Sequence, residues 1–188
     1  MIFGIKFISK NGENFMKKIL GLLCFALLIV SCSSKQGELS NYEKGIQAAK
    51  DGQYEKAIEL FNVSLNERNK DEDKAAVLYN IGFCYGIMKD SKKELEYYNK
   101  ALETFSNFQP ALYDLGEYYY NNNDLNNALK MYEKLVSINP EHENAYYMLA
   151  LIQDALGNTE ESMKNMQKAA DLDSSEAKKF LGEITSED

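Results

Sequence analysis

The stretch PALYDLGEYYYNNNDLNNALKMYEKLVSINP, Pro110–Pro140, decides the fold of this chain. Apolar residues recur every three or four positions across Leu112–Tyr119, which places them on one face of a helix. The segment 121–124, Asn-Asn-Asn-Asp, interrupts this pattern, because Asn and Asp cap helices and tolerate left-handed backbone. A second apolar stripe then runs through Leu125–Leu135. The stretch therefore predicts two amphipathic helices joined by a short polar turn.

The same pattern recurs along the chain with a period of 34 residues. Tyr79, Tyr113 and Tyr147 are each 34 residues apart, and an earlier copy begins near Leu39. A helix-turn-helix period of this length resembles the tetratricopeptide repeat. The residues that carry the resemblance in the third copy are Leu112, Leu115, Gly116, Tyr119, Ala128, Tyr132 and Pro140. The second copy departs from the family pattern at Glu94, where a small residue is usual.

The resemblance implies an all-α fold, a right-handed α-solenoid of four repeats followed by a C-terminal capping helix. The expected repeats cover about 39–70, 75–108, 109–142 and 143–174, and the cap covers 175–184, within a domain at 39–184. A charged stretch at 67–73 lengthens the junction between the first two copies. In the cap, Phe180, Leu181 and Ile184 share a helical face, and we expect this face to cover the last repeat.

The N-terminal segment 1–31 has the order of a secretory signal peptide. A basic start at Met16 is followed by Ile19–Val30, a run of twelve apolar residues that is too short for a permanent span of about twenty. The run ends in Ile-Val-Ser-Cys, which resembles the bacterial lipobox and implies lipidation of Cys32. An ordinary signal peptide or a buried apolar helix is the alternative. Residues 1–15 fit either an upstream extension, with translation starting at Met16, or a longer basic region.

Charge restricts the partners that such a chain can have. Processing before Cys32 removes four lysines and one glutamate, which leaves 17 basic and 28 acidic side chains and a formal charge of −11. This charge repels nucleic acid and anionic lipid headgroups, so we expect no nucleic-acid partner. The membrane is then reached through the lipid on Cys32, and the linker 32–38 keeps the repeats close to it.

Catalytic signatures are absent from the sequence. We find no nucleophile motif, no phosphate-binding glycine loop and no zinc-like spacing of cysteine and histidine. The single histidine, His142, is interpreted as a surface residue. The sequence therefore predicts a protein that is not an enzyme and needs no cofactor or metal.

A binding surface is the remaining functional feature. In the tetratricopeptide family the first helix of each repeat lines a concave groove, and the resemblance implies a groove for a protein or peptide partner. Its expected residues are Tyr42, Tyr79, Phe83, Tyr113, Glu117, Tyr120, Tyr147, Leu151 and Asp154. Tyrosine suits interfaces because it combines a flat apolar ring with a polar tip, although the tyrosines could equally be plain scaffold. Since they are out of phase with the packing residues, we expect them to contribute little to the fold.

These features together predict a membrane-anchored lipoprotein of the bacterial cell envelope that acts as an interaction scaffold or assembly factor. The outer membrane is favoured over the inner membrane. The alternative is a surface-exposed lipoprotein that meets host or environmental molecules. The sequence carries no signal for the oligomeric state.

Overall fold

The structure, a computed structural model, describes residues 39–185, with side chains up to residue 182. The signal-peptide and lipidation predictions therefore lie outside the described residues. All the helices below belong to one compact unit, which begins at Ser40. No helix within residues 39–185 is both long enough and apolar enough to cross a membrane.

Helices α1 to α9 occupy the described residues, which contain no strand. Their bounds are α1 Asn41–Lys50, α2 Tyr54–Leu65, α3 Asp71–Ile87, α4 Ser91–Thr104, α5 Gln109–Asn121, α6 Leu125–Ile138, α7 Glu143–Ala155, α8 Thr159–Asp171 and α9 Ser175–Thr185. Odd-numbered and even-numbered helices pack in pairs along the chain, and each pair packs on the next. The predicted all-α fold is confirmed.

Each helix pair turns through one residue in the left-handed backbone region. These residues are Gly52, Lys89, Asn123 and Gly157, with φ between 59° and 81°. Glycine adopts this conformation freely, whereas for other residues it costs roughly 1 kcal/mol or more of conformational free energy. In the second and third pairs the next residue is an aspartate, Asp90 or Asp124, whose carboxylate accepts a hydrogen bond from the backbone of the following helix. The turns thus set the antiparallel pairing that builds the repeats.

An aromatic ring under a helical glycine forms the centre of each of the first three pairs. A Cβ atom at any of these glycines would lie 2.7 to 2.8 Å from ring carbons, so the missing side chain lets the two helices approach. The pairs are Gly45 with Phe61, Gly82 with Tyr98, and Gly116 with Tyr132. All three rings are buried. This contact fixes where the first helix of each pair sits over the second.

The charged junction at 67–73 is shorter than the sequence suggests. Helix α3 begins at Asp71, so the acidic residues at 71–73 form its first turn, where the helix dipole favours negative charge. The remaining link folds back on α1. The Arg68 guanidinium lies 4.7 Å from the centre of the Tyr42 ring.

Helix α9 packs on α8, but through a different face from the one predicted. Ala177 is fully buried and Leu181 is partly buried, and both contact the apolar cluster of α8. Phe180 is 42% exposed, so its assignment to the covering face is wrong. The buried face is centred on two positions four residues apart, and the small Ala177 side chain allows close approach. The side chain of Ile184 lies outside the described residues.

Candidate functional site

The nine predicted groove residues lie on the first helices of the four pairs. Tyr42 is on α1; Tyr79 and Phe83 are on α3; Tyr113, Glu117 and Tyr120 are on α5; Tyr147, Leu151 and Asp154 are on α7. Three open cavities along these helices are lined by Tyr79, Phe83, Tyr113 and Glu117 from this set. The other five predicted residues, Tyr42, Tyr120, Tyr147, Leu151 and Asp154, do not line these cavities.

The largest of these three cavities, of about 800 Å³, lies at the start of α5. Tyr79, Tyr113 and Asp114 line it together with the phenylalanines of the preceding turn. His142 closes one side, since its ring stacks on Tyr113 at a centroid distance of 5.6 Å. The Nδ1 atom of His142 also accepts a hydrogen bond of 3.3 Å from the backbone N–H of Ala145, in the first turn of α7. The histidine interpreted as a plain surface residue is therefore part of the cavity wall.

The second cavity, hereafter the central cavity, has a volume of about 400 Å³ and contains three carboxylates. Asp114 and Glu117 come from α5, whereas Glu94 comes from the second helix of its pair, α4. Glu94 reaches the groove because the facing Gly86 has no side chain; a Cβ atom there would overlap the Glu94 carboxylate. The departure from the repeat pattern at Glu94 thus adds an acid to the cavity. The departure is visible in the sequence, but its connection with the groove is not.

Hydrogen bonds hold this acidic cluster in place. The Tyr79 hydroxyl donates to Oδ2 of Asp114 at 2.7 Å. The Tyr98 side chain lines the same cavity and favours the charged forms of both Asp114 and Glu94. Burial raises the pKa of the Asp114 carboxyl, and the hydroxyls of Tyr79 and Tyr98 oppose this shift only in part. Burial also raises the pKa of Glu94, and the nearby charge of Asp114 adds to the increase.

Basic side chains do not neutralise the cluster. Among residues 39–182, the ion pairs lie between neighbours on helix surfaces or at the start of α9, and none includes Glu94, Asp114 or Glu117. The residues that line the central cavity include no lysine or arginine. The three carboxylates therefore share a half-buried space without a counterion from the described part of the chain.

Among the described residues, Tyr132 carries a further polar group without a partner, and this residue does not line the central cavity. Its side chain is fully buried, and its hydroxyl has no hydrogen-bond partner within the described part of the chain. The ring lies beneath Gly116 and contacts Tyr113 edge-on. Burial raises the pKa of the hydroxyl, and the charges of Glu117 and Asp114 contribute to the increase. The hydroxyl is thus close enough to the cluster to be affected by its charge.

The third cavity, hereafter the apolar cavity, has a volume of about 300 Å³ and is lined mainly by apolar side chains of α1 to α3. Phe83 and Ile87 line both this cavity and the central one. They are 46% and 48% exposed, which is unusual for large apolar residues one turn apart on one helix. An acidic cavity and an apolar cavity are therefore neighbours with a shared wall.

Comparisons with known proteins fit this geometry. Residues 109–142 and 143–182 each match the tetratricopeptide repeat, and residues 43–121 match a domain of unknown function, DUF6340. Residues 109–182 therefore match two successive tetratricopeptide repeats. Similar solved structures include MamA from Desulfovibrio magneticus RS-1, at 25% identity and a TM-score of 0.59 over 71% of this chain and 73% of that one. YrrB, described as a tetratricopeptide-repeat protein with an unusual peptide-binding site, is 22% identical, with a TM-score of 0.55 over 71% and 67% of the two chains.

Curated relatives include the photosystem I assembly protein Ycf3 of two cyanobacteria. The Ycf3 of Rippkaea orientalis is 27% identical over 60% of this chain and 66% of its own. The Ycf3 of Acaryochloris marina is 29% identical over 56% of this chain and 64% of its own. The chain thus spans just under two thirds of the length of these relatives. Both relatives are named as assembly proteins.

Tyrosines on the first helices also form hydrogen bonds to the next repeat, which the sequence did not predict. Tyr42 accepts a hydrogen bond of 3.0 Å from the Nδ2 atom of Asn80, and Tyr79 bonds to Asp114. In both cases the partner directly follows the equivalent tyrosine of the next repeat. Tyr79 also stacks on Tyr98, with ring centroids 5.1 Å apart. The expectation that these tyrosines contribute little to the fold is therefore wrong for Tyr79.

Proposed function

We propose that this chain is a lipid-anchored adaptor of the bacterial cell envelope, in which the groove docks a segment of a partner protein. The observation that carries the proposal is the exposed apolar pair Phe83 and Ile87, which stands between two open cavities on the first-helix face. Clustered exposed apolar side chains with a polar surround are typical of interaction sites. On this proposal, docking covers both side chains.

The assembly role is proposed by analogy. The name of the Ycf3 relatives describes assembly of photosystem I, and the description of YrrB refers to peptide binding. Similar folds host different functions, so the analogy supports a scaffold or assembly factor without specifying its client. The proposed location, with the outer membrane favoured over the inner, rests on the lipobox-like sequence that ends at Cys32.

Photocrosslinking in the producing bacterium tests the groove. The photoreactive residue p-benzoylphenylalanine replaces Phe83 in one variant of the full chain and Val63 in the control. Val63 is 51% exposed on α2 and does not line the three cavities. We expect a discrete protein adduct from position 83 and none from position 63. Equal adducts at both positions, or none at position 83, would contradict docking in the groove.

Metabolic labelling with radioactive palmitate tests the anchor. Cys32→Ala should abolish labelling and leave an unprocessed precursor, since the lipid would be attached to that thiol. Cys84→Ala serves as the matched control. Because Cys84 is buried, its substitution should leave labelling unchanged. Persistent labelling of the Cys32→Ala variant would disprove the anchor. Protease treatment of intact cells would then distinguish an inward-facing adaptor from a surface-exposed lipoprotein.

A further inference from the structure

We propose that the central cavity binds a lysine or arginine side chain of the docked segment, and that a neighbouring apolar side chain of the same segment enters the apolar cavity. This proposal rests on the proposed function and specifies the chemistry of the partner. It is carried by charge complementarity, by the balance of hydrogen-bond donors and acceptors, and by the wall that the two cavities share.

The charge of the cavity determines which sign of charge the ligand must carry. Glu94, Asp114 and Glu117 face one cavity whose lining includes no lysine or arginine. A half-buried carboxylate is stabilised by an opposite charge within a few ångströms, and the gain is larger than at an open surface because the surroundings are less polar. An acidic tail, in contrast, would be repelled. The cavity therefore selects a cation.

The hydrogen-bonding groups point to the same conclusion. The proton of the Tyr79 hydroxyl is directed to Asp114, and no lysine or arginine lines the cavity, which leaves several carboxylate lone pairs unused. The site thus has acceptors in excess. Lysine and arginine carry three and five donors respectively and no acceptor, so either side chain supplies what the site lacks.

The shape of the site favours an organic cation over a metal ion. No three carboxylate, histidine or cysteine side chains in the described part of the chain converge closely enough to hold a metal. A lysine or arginine side chain also has an apolar stem, which can lie along Phe83 and Ile87 while its charged end reaches the carboxylates. Because these two residues line both cavities, the cation and the apolar anchor must lie close together in the partner sequence.

A random 12-residue peptide library displayed on phage tests the proposal. The full chain, purified in detergent, is immobilised and panned at neutral pH. We expect enriched peptides to carry Lys or Arg within about four positions of a large apolar residue. Replacing that Lys or Arg by Gln in a selected peptide should weaken binding about tenfold or more, as expected for a hydrogen-bonded charge.

Variants of the cavity provide the matched measurement. Glu94→Gln and Asp114→Asn keep the shape of each side chain and remove its charge, and both should abolish the preference for the cationic peptide over its Gln version. Glu133→Gln is the control, because Glu133 is exposed on α6 and does not line the three cavities. Circular dichroism melting verifies that each variant is folded. If a variant does not fold, Glu117→Gln, at an exposed position of the same cavity, replaces it.

The outcomes separate the two proposals. Selected peptides that bind equally well with Lys and Gln, or that are enriched in Asp and Glu, would overturn the cation proposal and leave docking in the groove intact. Peptides that bind a Phe83→Ser, Ile87→Ser double variant as well as the parent bind elsewhere and would overturn both. A library that yields no binder would also overturn both.

Lowering the pH gives an independent readout. The pKa values of Asp114 and Glu94 are raised in the free chain, and a bound cation would lower them, so affinity should fall as the pH drops through the free-chain values. Other titratable groups that face the two carboxylates or share the cavities with them are Glu72, Tyr79, Tyr98, Tyr113, Glu117, Tyr118 and His142. His142→Asn should preserve the pH dependence, whereas Asp114→Asn should weaken it. A dependence that disappears with His142→Asn would contradict the assignment.

Discussion

Tyr98 and Tyr132 occupy equivalent positions in the second and third repeats, and we predict that removing their hydroxyls has opposite effects on stability. Each ring lies under a helical glycine of its pair. The Tyr98 hydroxyl reaches two carboxylates, whereas the Tyr132 hydroxyl is buried without a partner in the described residues. Replacement of either tyrosine by phenylalanine keeps the ring and deletes only the oxygen. The pair therefore isolates the contribution of a hydrogen bond.

The magnitudes follow from the two environments. A hydrogen bond to a charged group contributes about 1.5–3 kcal/mol, so Tyr98→Phe should destabilise the chain by roughly that amount. A buried hydroxyl without a partner costs about 1–3 kcal/mol, so Tyr132→Phe should be neutral or stabilising by up to about 1 kcal/mol after local relaxation. For a domain of this size, 1 kcal/mol changes the melting temperature by roughly 2–4 °C. The two variants should thus differ by at least about 3 °C.

Differential scanning calorimetry of the full chain at neutral pH measures the difference. Tyr120→Phe, at a partly exposed position on α5, is the control and should shift stability by less than about 0.5 kcal/mol. If Tyr132→Phe lowers the melting temperature as much as Tyr98→Phe, the Tyr132 hydroxyl has a partner such as a bound water.

Three further substitutions test the packing, with the melting temperature as the readout. Gly116→Ala should destabilise by about 1–3 kcal/mol, since its Cβ atom would lie 2.8 Å from a buried tyrosine ring. Gly86→Ala should be neutral or stabilising, because alanine stabilises a helix by about 1 kcal/mol relative to glycine and the Glu94 carboxylate can move aside. If Gly86→Ala lowered the melting temperature as much as Gly116→Ala, this difference between the two glycines would be refuted. Ala177→Asp should cost more than about 2 kcal/mol, whereas Phe180→Asp at an exposed position of α9 should cost little. A similar effect of both aspartates would contradict the assigned face.

The arrangement of helices could be predicted from the sequence because it depends on local, periodic signals. Apolar residues at three- and four-residue spacing define each helix, and the recurrent glycine marks where a ring of the partner helix packs. The turn at Asn123 could also be predicted, since this residue occupies a left-handed position that its residue type favours. The face of α9 was harder to predict, because Ala177 gives a weaker apolar signal than Phe180 and yet allows closer packing.

The chemistry of the groove could not be predicted in the same way, because it depends on contacts between repeats. Asp114 follows a tyrosine on α5, and only the stacking of the repeats brings it against Tyr79. Glu94 is on a second helix, so a rule that assigns the groove to first helices excludes it. A usable signal was present, however: a large acid stands where the repeat usually has a small residue, and the facing Gly86 makes room for it.

Several features in or near the central cavity lower the stability of the free chain, and they occur together. Gly86 weakens the helix that carries it, burial disfavours the charges of Asp114 and Glu94, and the Tyr132 hydroxyl is unpaired in the described residues. Independent defects would be scattered along a repetitive fold, because each repeat faces the same packing problem. Local conflicts that gather in one place are characteristic of functional sites. A single cationic side chain would stabilise the three cavity carboxylates together, which is why we assign the partner's lysine or arginine to this cavity.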